Sequence, residues 1–178
     1  MEKVNKVMVS GVVSEKCKNY AILKWRRHSG QENVIRVWNF PEEFVEGEKV
    51  TVSGELDARR IAPNSLKQVL GVKAKEVISG DRGDSLIFTG VVFAKGKKRS
   101  NFKGDDILNL IIKVNDTFCA TCVAWNGVVY SAETQLKVGD KVSVRGLLLS
   151  REYKKNQNGI ICPRLTTEVS ITYIEKIE

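Results

Sequence analysis

The chain predicts an all-β protein built as two small five-stranded barrels in tandem, with a short helix between strands three and four of the second. Three observations lead there. The sequence repeats one strand plan: Val7-Met8-Val9-Ser10-Gly11-Val12-Val13 is matched by Leu86-Ile87-Phe88-Thr89-Gly90-Val91-Val92, and Gly47-Glu48-Lys49-Val50-Thr51-Val52-Ser53-Gly54 by Gly139-Asp140-Lys141-Val142-Ser143-Val144-Arg145-Gly146. Within each copy apolar and polar residues alternate at the strand period, with Val142 and Val144 on one face and Ser143 and Arg145 on the other. Gly54 and Gly146 then interrupt their strands where a barrel wall bends or takes a bulge.

Element by element, the first copy reads as strands over about 4–16, 19–27, 33–39, 48–61 and 66–78. The second reads as 84–96, 105–115, 117–125, 140–154 and 163–177, and carries about 13 more residues between the shared glycines. Val129, Ala132 and Leu136 recur at helical spacing and predict a helix over 128–137. The matching place in the first copy, Pro41 to Glu46, has room for one turn. A Trp-Asn pair precedes the glycine turn in both copies, Trp38-Asn39 and Trp125-Asn126. The domains are therefore 1–79 and 85–178, joined by a polar, glycine-rich linker at 80–84 short enough to make the barrels touch. Strands of this number and length favour a closed barrel over a seven-stranded sandwich. The order β-β-β-α-β-β is the plan of the oligonucleotide/oligosaccharide-binding (OB) fold, whose second and third strands and 1–2 and 4–5 loops form the customary groove.

Composition narrows the function. The 178 residues hold 29 Lys/Arg against 21 Asp/Glu, a net charge of +8, with 42% apolar and 28% charged residues; the isoelectric point near 9.4 favours a polyanionic partner. No stretch approaches the roughly 18 continuous apolar residues of a membrane span, and residues 1–6 lack a signal-peptide run, which predicts a soluble, cytoplasmic protein. Cys119 and Cys122 form a C-x-x-C, but on a strand residues three apart point to opposite faces, so no metal or cofactor is expected there. His28, the lone histidine, lies in a turn-like segment. Asp105, Asp106 and Asp116 read as turn residues rather than as the converging carboxylates of a metal-dependent nuclease, and no enzyme is predicted.

Affinity for an unpaired strand comes from backbone charge and from stacking. Lys95, Lys97, Lys98, Arg99 and Lys103 crowd the 1–2 loop of the second copy around Phe102. Arg151, Lys154, Lys155 and Arg164 crowd its 4–5 hairpin around Tyr153. In the first copy Arg36 and Trp38 share a strand face, which reads as groove rather than as packed structural tryptophan, and Arg59 and Arg60 follow the Gly54 strand as phosphate ligands. Trp25, in line with Leu23, is either core or groove; Phe88 and Phe93 read as core.

The second copy resembles the bacterial single-stranded DNA-binding protein family over Leu86–Ile174. The resemblance is carried by Val123-Ala124-Trp125, Ala132-Glu133, Leu136-Lys137-Val138-Gly139-Asp140-Lys141-Val142, Val144, Gly146, Leu148, Arg151, Tyr153, Gly159 and Arg164-Leu165-Thr166-Thr167-Glu168-Val169. The first copy keeps only Trp38, Gly47, Val50, Val52, Gly54, Leu56 and Arg59, and has Ile61 where the second has Tyr153. The resemblance implies a non-catalytic, largely sequence-independent binder of single-stranded DNA, with single-stranded RNA a second candidate. Trp125 and Tyr153 would be the stacking aromatics and the second copy the stronger unit. It also implies a nucleoid-associated role in replication or recombination with proteins of those processes as partners, and pairing of two-barrel chains as homodimers. The chain ends Ile174-Glu175-Lys176-Ile177-Glu178, without the family's acidic, aromatic-tipped tail, which points to a phage or mobile-element role. An alternative reading is an interaction adaptor, or a protein similar to the primosomal accessory proteins, binding a helicase or recombination partner.

Overall fold

The computed structural model describes residues 2–60 and 62–178; Ile61 and the Pro163 side chain lie outside the described residues. Strands β1 (Asn5–Lys16), β2 (Tyr20–Arg26), β3 (Glu32–Trp38), β4 (Lys49–Arg60) and β5 (Gln68–Ser79) come first. They are followed by β6 (Ser85–Lys95), β7 (Arg99–Ser100), β8 (Asp106–Lys113), β9 (Cys119–Trp125), helix α1 (Gly127–Gln135), β10 (Lys141–Gln157) and β11 (Ile160–Lys176).

The pairings close two rings. In the first, β1 pairs with β2 and β4, β2 with β3, β4 with β5, and β3 runs parallel to β5. The second repeats this with β6, β8, β9, β11 and β10, again with one parallel contact, β9 to β11. Alternation sends Val9, Leu23, Ile35, Val50 and Val72 into one core and Phe88, Leu110, Cys122, Val144 and Ile171 into the other, all under 4% exposed. Val129, Ala132 and Leu136, at the helical spacing read from the sequence, are buried with the second core. Both register shifts expected at the strand glycines are present, between Ser53 and Gly54 and between Arg145 and Gly146. A side chain at either glycine would run into the carbonyl of Lys73 or Ser170, so only glycine lets the two backbones cross so closely.

Two expectations are corrected here. Phe93 is 61% exposed rather than core: alternation from the buried Phe88 and Val92 points it outward, and it is left unpaired at a bulge between Val92 and Ala94. The 4–5 hairpin is longer than the alternation suggested: β10 runs to Gln157 and β11 starts at Ile160, the turn consisting of Asn158 and Gly159 with φ of 54° and 83°.

Strand pairing, the connecting segment and a contact between β10 and β3 all join the two rings. Strand β1 pairs antiparallel with β6 from Asn5↔Phe88 to Met8↔Ser85, making one continuous sheet. The segment between β5 and β6 is fastened to the first ring. Asp84 accepts from Ser10 N at 2.7 Å, Ser10 Oγ donates to Gly83 O at 2.8 Å, and Thr51 Oγ1 donates to Gly80 O at 2.7 Å. Third, β10 touches β3: Ser150 N donates to Asn33 Oδ1 at 3.0 Å and Val34 N to Ser150 Oγ at 2.8 Å.

Candidate nucleic-acid interface

The glycine bulges give both rings one frame of reference. Gly54 pairs with Ala74 while Trp38 pairs with Lys73; Gly146 pairs with Ile171 while Val123 pairs with Ser170. Trp38 therefore stands where the second ring has Val123, and Trp125 lies two residues further along its strand. The two Trp-Asn pairs match in sequence but are out of step by one pleat repeat, about 6.6 Å. The same frame sets Gly71 of β5 against Glu168 of β11.

That exchange of size decides what each face looks like. Trp38 is 5% exposed, because Gly71 leaves its ring somewhere to lie: a Cβ at Gly71 would sit 2.8 Å from Trp38 Cζ3. The Arg59 guanidinium covers the ring from outside, 4.8 Å from its centroid. Trp38 is thus a correction to the reading of an open stacking platform: it is the floor of the site. Across β2–β3 it pairs with Tyr20, which the sequence reading overlooked, and Arg36 lies over the Tyr20 ring at 4.4 Å. The Tyr20 phenol is held above its ordinary pKa, first by its hydrogen bond with the Cys17 thiol. Lys18, Tyr20, Arg36, Trp38, Arg59 and Arg60 line a cavity of about 500 Å³ whose lining holds four cations and no carboxylate. Asp57 meets the Arg59 Nε at 3.2 Å beside it. Trp25 is partly buried against the core.

In the second ring the smaller Val123 leaves room for Glu168, 8% exposed, which holds Arg151 by contacts of 3.0 and 3.4 Å. Arg151 is therefore already neutralised. Cross-strand register sorts the rest of the arm. Arg151, Tyr153 and Lys155 alternate onto one face and are joined there by their partners Thr166, Arg164 and Cys162. Lys154 falls on the other face with Glu152, so it does not cluster with Tyr153 as the linear sequence suggested. Arg164 donates to Gln157 Oε1 at 2.9 Å.

Trp125, 38% exposed, ends β9 at the level of Thr172, whereas Tyr153 pairs with Arg164 eight residues upstream on β11. That separation is about 26 Å along the strand. The structure does not bring Trp125 and the arm together: they sit at opposite ends of one outer face. Beside Trp125 lies the 1–2 loop, tied in by Asn126, which receives Asp106 N on its Oδ1 at 3.0 Å and donates to Asp105 Oδ1 at 3.2 Å. In that loop Lys97 and Arg99 are exposed, Phe102 is 93% exposed, and Lys103 lies 5.8 Å from the Phe102 centroid. Two of its cations are otherwise engaged. Lys95 donates to the carbonyls of Glu133 and Leu136 at 2.8 and 2.9 Å, closing the end of α1, and Lys98 lies 3.9 Å from Glu133. Lys95 is a helix-capping residue, a correction to its place among the loop ligands.

With this geometry in view, no protein-family model and no curated protein matches the sequence. Among solved structures, the wild-type single-stranded DNA binding protein from Thermus aquaticus is similar over 100% of this chain and 95% of its own, at 19% identity and a TM-score of 0.69. A deletion variant of that protein is similar over 99% and 95%, at 20% identity and a TM-score of 0.68. The chain has the fold of the Thermus protein.

On that fold the two outer faces differ in chemistry. The first carries guanidinium groups stacked on rings over a cavity; the second is a long strip with an aromatic at each end and an ion pair between. Cys119 is exposed and Cys122 is buried, so the two thiols of the C-x-x-C point to opposite sides, and burial pushes the Cys122 thiol well above its ordinary pKa. Among the described residues no group of three or more His, Cys, Asp and Glu is placed to hold a metal ion, and no helix is long and apolar enough to cross a membrane.

Proposed function

We propose that the protein binds single-stranded DNA, largely without regard to sequence and without catalysing a reaction, in replication or recombination. The observation that carries this reading is the first ring's paired stack, Arg36 on Tyr20 and Arg59 on Trp38, with Lys18 and Arg60 around the same cavity. Guanidinium groups lying over rings offer cationic and aromatic surface to a phosphate and a base together, which suits any nucleotide. The arm's Tyr153, Lys155 and Arg164 and the exposed Trp125 extend the same chemistry over the second ring.

Titration of the intrinsic tryptophan emission with oligo-dT at two salt concentrations tests it. Quenching that weakens steeply with salt is the expected result, because each neutralised phosphate releases a counterion. An unresponsive emission and no retardation of the oligonucleotide would refute the proposal in favour of a protein-binding adaptor.

A further inference from the structure

The core-facing side of β10 runs Val142, Val144, Gly146, Leu148, Ser150 without a break, the extra residue at the Gly146 register shift being Thr172 of β11. Beyond Leu148 the barrel ends, and on a free hairpin Ser150 would meet water. It is instead 0% exposed, as is Asn33 of the other ring. The two residues answer each other: Ser150 N donates to Asn33 Oδ1 at 3.0 Å, Val34 N to Ser150 Oγ at 2.8 Å, and Arg27 Nη2 reaches Ser150 O at 3.5 Å. Asn33 Nδ2 and Arg27 Nε remain buried without partners. Polar groups buried at this depth are costly unless their mutual geometry is kept. A lone two-stranded ribbon is marginal in water, so the direction of the arm depends on where it is fastened.

We propose that Ser150 and Asn33 are positioning residues that latch the arm of the second ring across the first, so that one strand meets both rings as a single fixed surface. This rests on the single-strand binding proposed above. The side of the arm carrying Ser150 faces the first ring, which turns the side carrying Arg151, Tyr153, Lys155 and Arg164 outward, away from the joint. The arm's orientation is set before any ligand arrives. Prior ordering of this kind raises the affinity for a ligand long enough to engage both rings and does nothing for one that engages a single ring.

The test uses the full chain with Asn33→Leu, which removes the acceptor, the milder Ser150→Ala, which leaves the Asn33 contact to the backbone, and Asn33→Asp, which keeps an acceptor. Without DNA, amide exchange at Val34, Ser150 and along residues 151–165 should speed up in Asn33→Leu and in Ser150→Ala and stay slow in Asn33→Asp. With DNA, affinity for a strand of about 40 nucleotides should fall about tenfold in Asn33→Leu. Affinity for one of about 10 nucleotides, within the span of one barrel, should hold. Should Asn33→Leu fail to fold, Ser150→Ala carries the same comparison with a smaller drop. Arm exchange unchanged in a folded variant, or an unchanged long-strand affinity, overturns the latch. Wild-type protein that binds neither strand overturns the function proposed above, and the exchange measurement still decides the latch.

Discussion

Neutralising two cations on one side of the arm should weaken strand binding, while neutralising their neighbour on the other side should not. The register places Lys155 and Arg164 on the face of Tyr153, and Lys154 on the face of Glu152. Each phosphate contact on a single strand contributes about 0.7 to the slope of log affinity against log salt, so Lys155→Ala with Arg164→Ala should lower that slope by about 1.4. Taking about 1 M as the salt at which ion release contributes nothing, that is about a 25-fold loss of affinity at about 0.1 M. Lys154→Ala, removing the same charge from the same stretch of chain, should leave the slope within error of wild type. Fluorescence titrations with oligo-dT over a salt series provide both numbers. If Lys154→Ala lowers the slope by about 0.7, half the fall in the double variant, the arm acts as a diffuse charge and the argument from facing fails.

Two further outcomes follow from packing and protonation. Gly71→Ala brings a methyl to 2.5 Å from Arg36 O and 2.8 Å from the Trp38 ring, so urea unfolding should show a loss of about 1–3 kcal/mol, with Trp38 emission more open to acrylamide. The Asp140 carboxylate is held below its ordinary value of 3.8 by the backbone N–H of Lys137 and then by Lys176. Its stabilisation is therefore complete above pH 3.8 and is lost as pH falls through the lower folded-state value; Asp140→Asn should flatten the acid limb of the urea midpoint against pH. Asp84, raised by burial, works in the opposite sense, so comparison with wild type isolates Asp140.

The barrels were legible because alternation and glycine placement are local signals: Val142, Val144 and Gly146 announce their facing and their bulge within a few residues. What was not legible depends on partners distant in the chain. Ser150 looks like any polar strand residue until Asn33, 117 positions away, covers it. Trp38 and Trp125 share a sequence neighbour and a strand end, yet pairing with β5 and β11 sets them two residues apart, so that Trp38 lies over Gly71 as a floor and Trp125 stays open at the end of its strand. Tyr20 opens its strand, and only the pairing with Trp38 shows that it belongs to the site. The reversal at Asn158 and Gly159, by contrast, was local enough to read, and these two residues supply the positive φ it needs.

The β1–β6 pairing lies within one polypeptide. A sheet shared between two identical chains dissolves on dilution and must change both halves whenever its gene changes one. Here both constraints are lifted: the seam survives at any concentration, and a substitution reaches only one ring. Divergence as large as glycine against glutamate at one shared position is what that freedom permits.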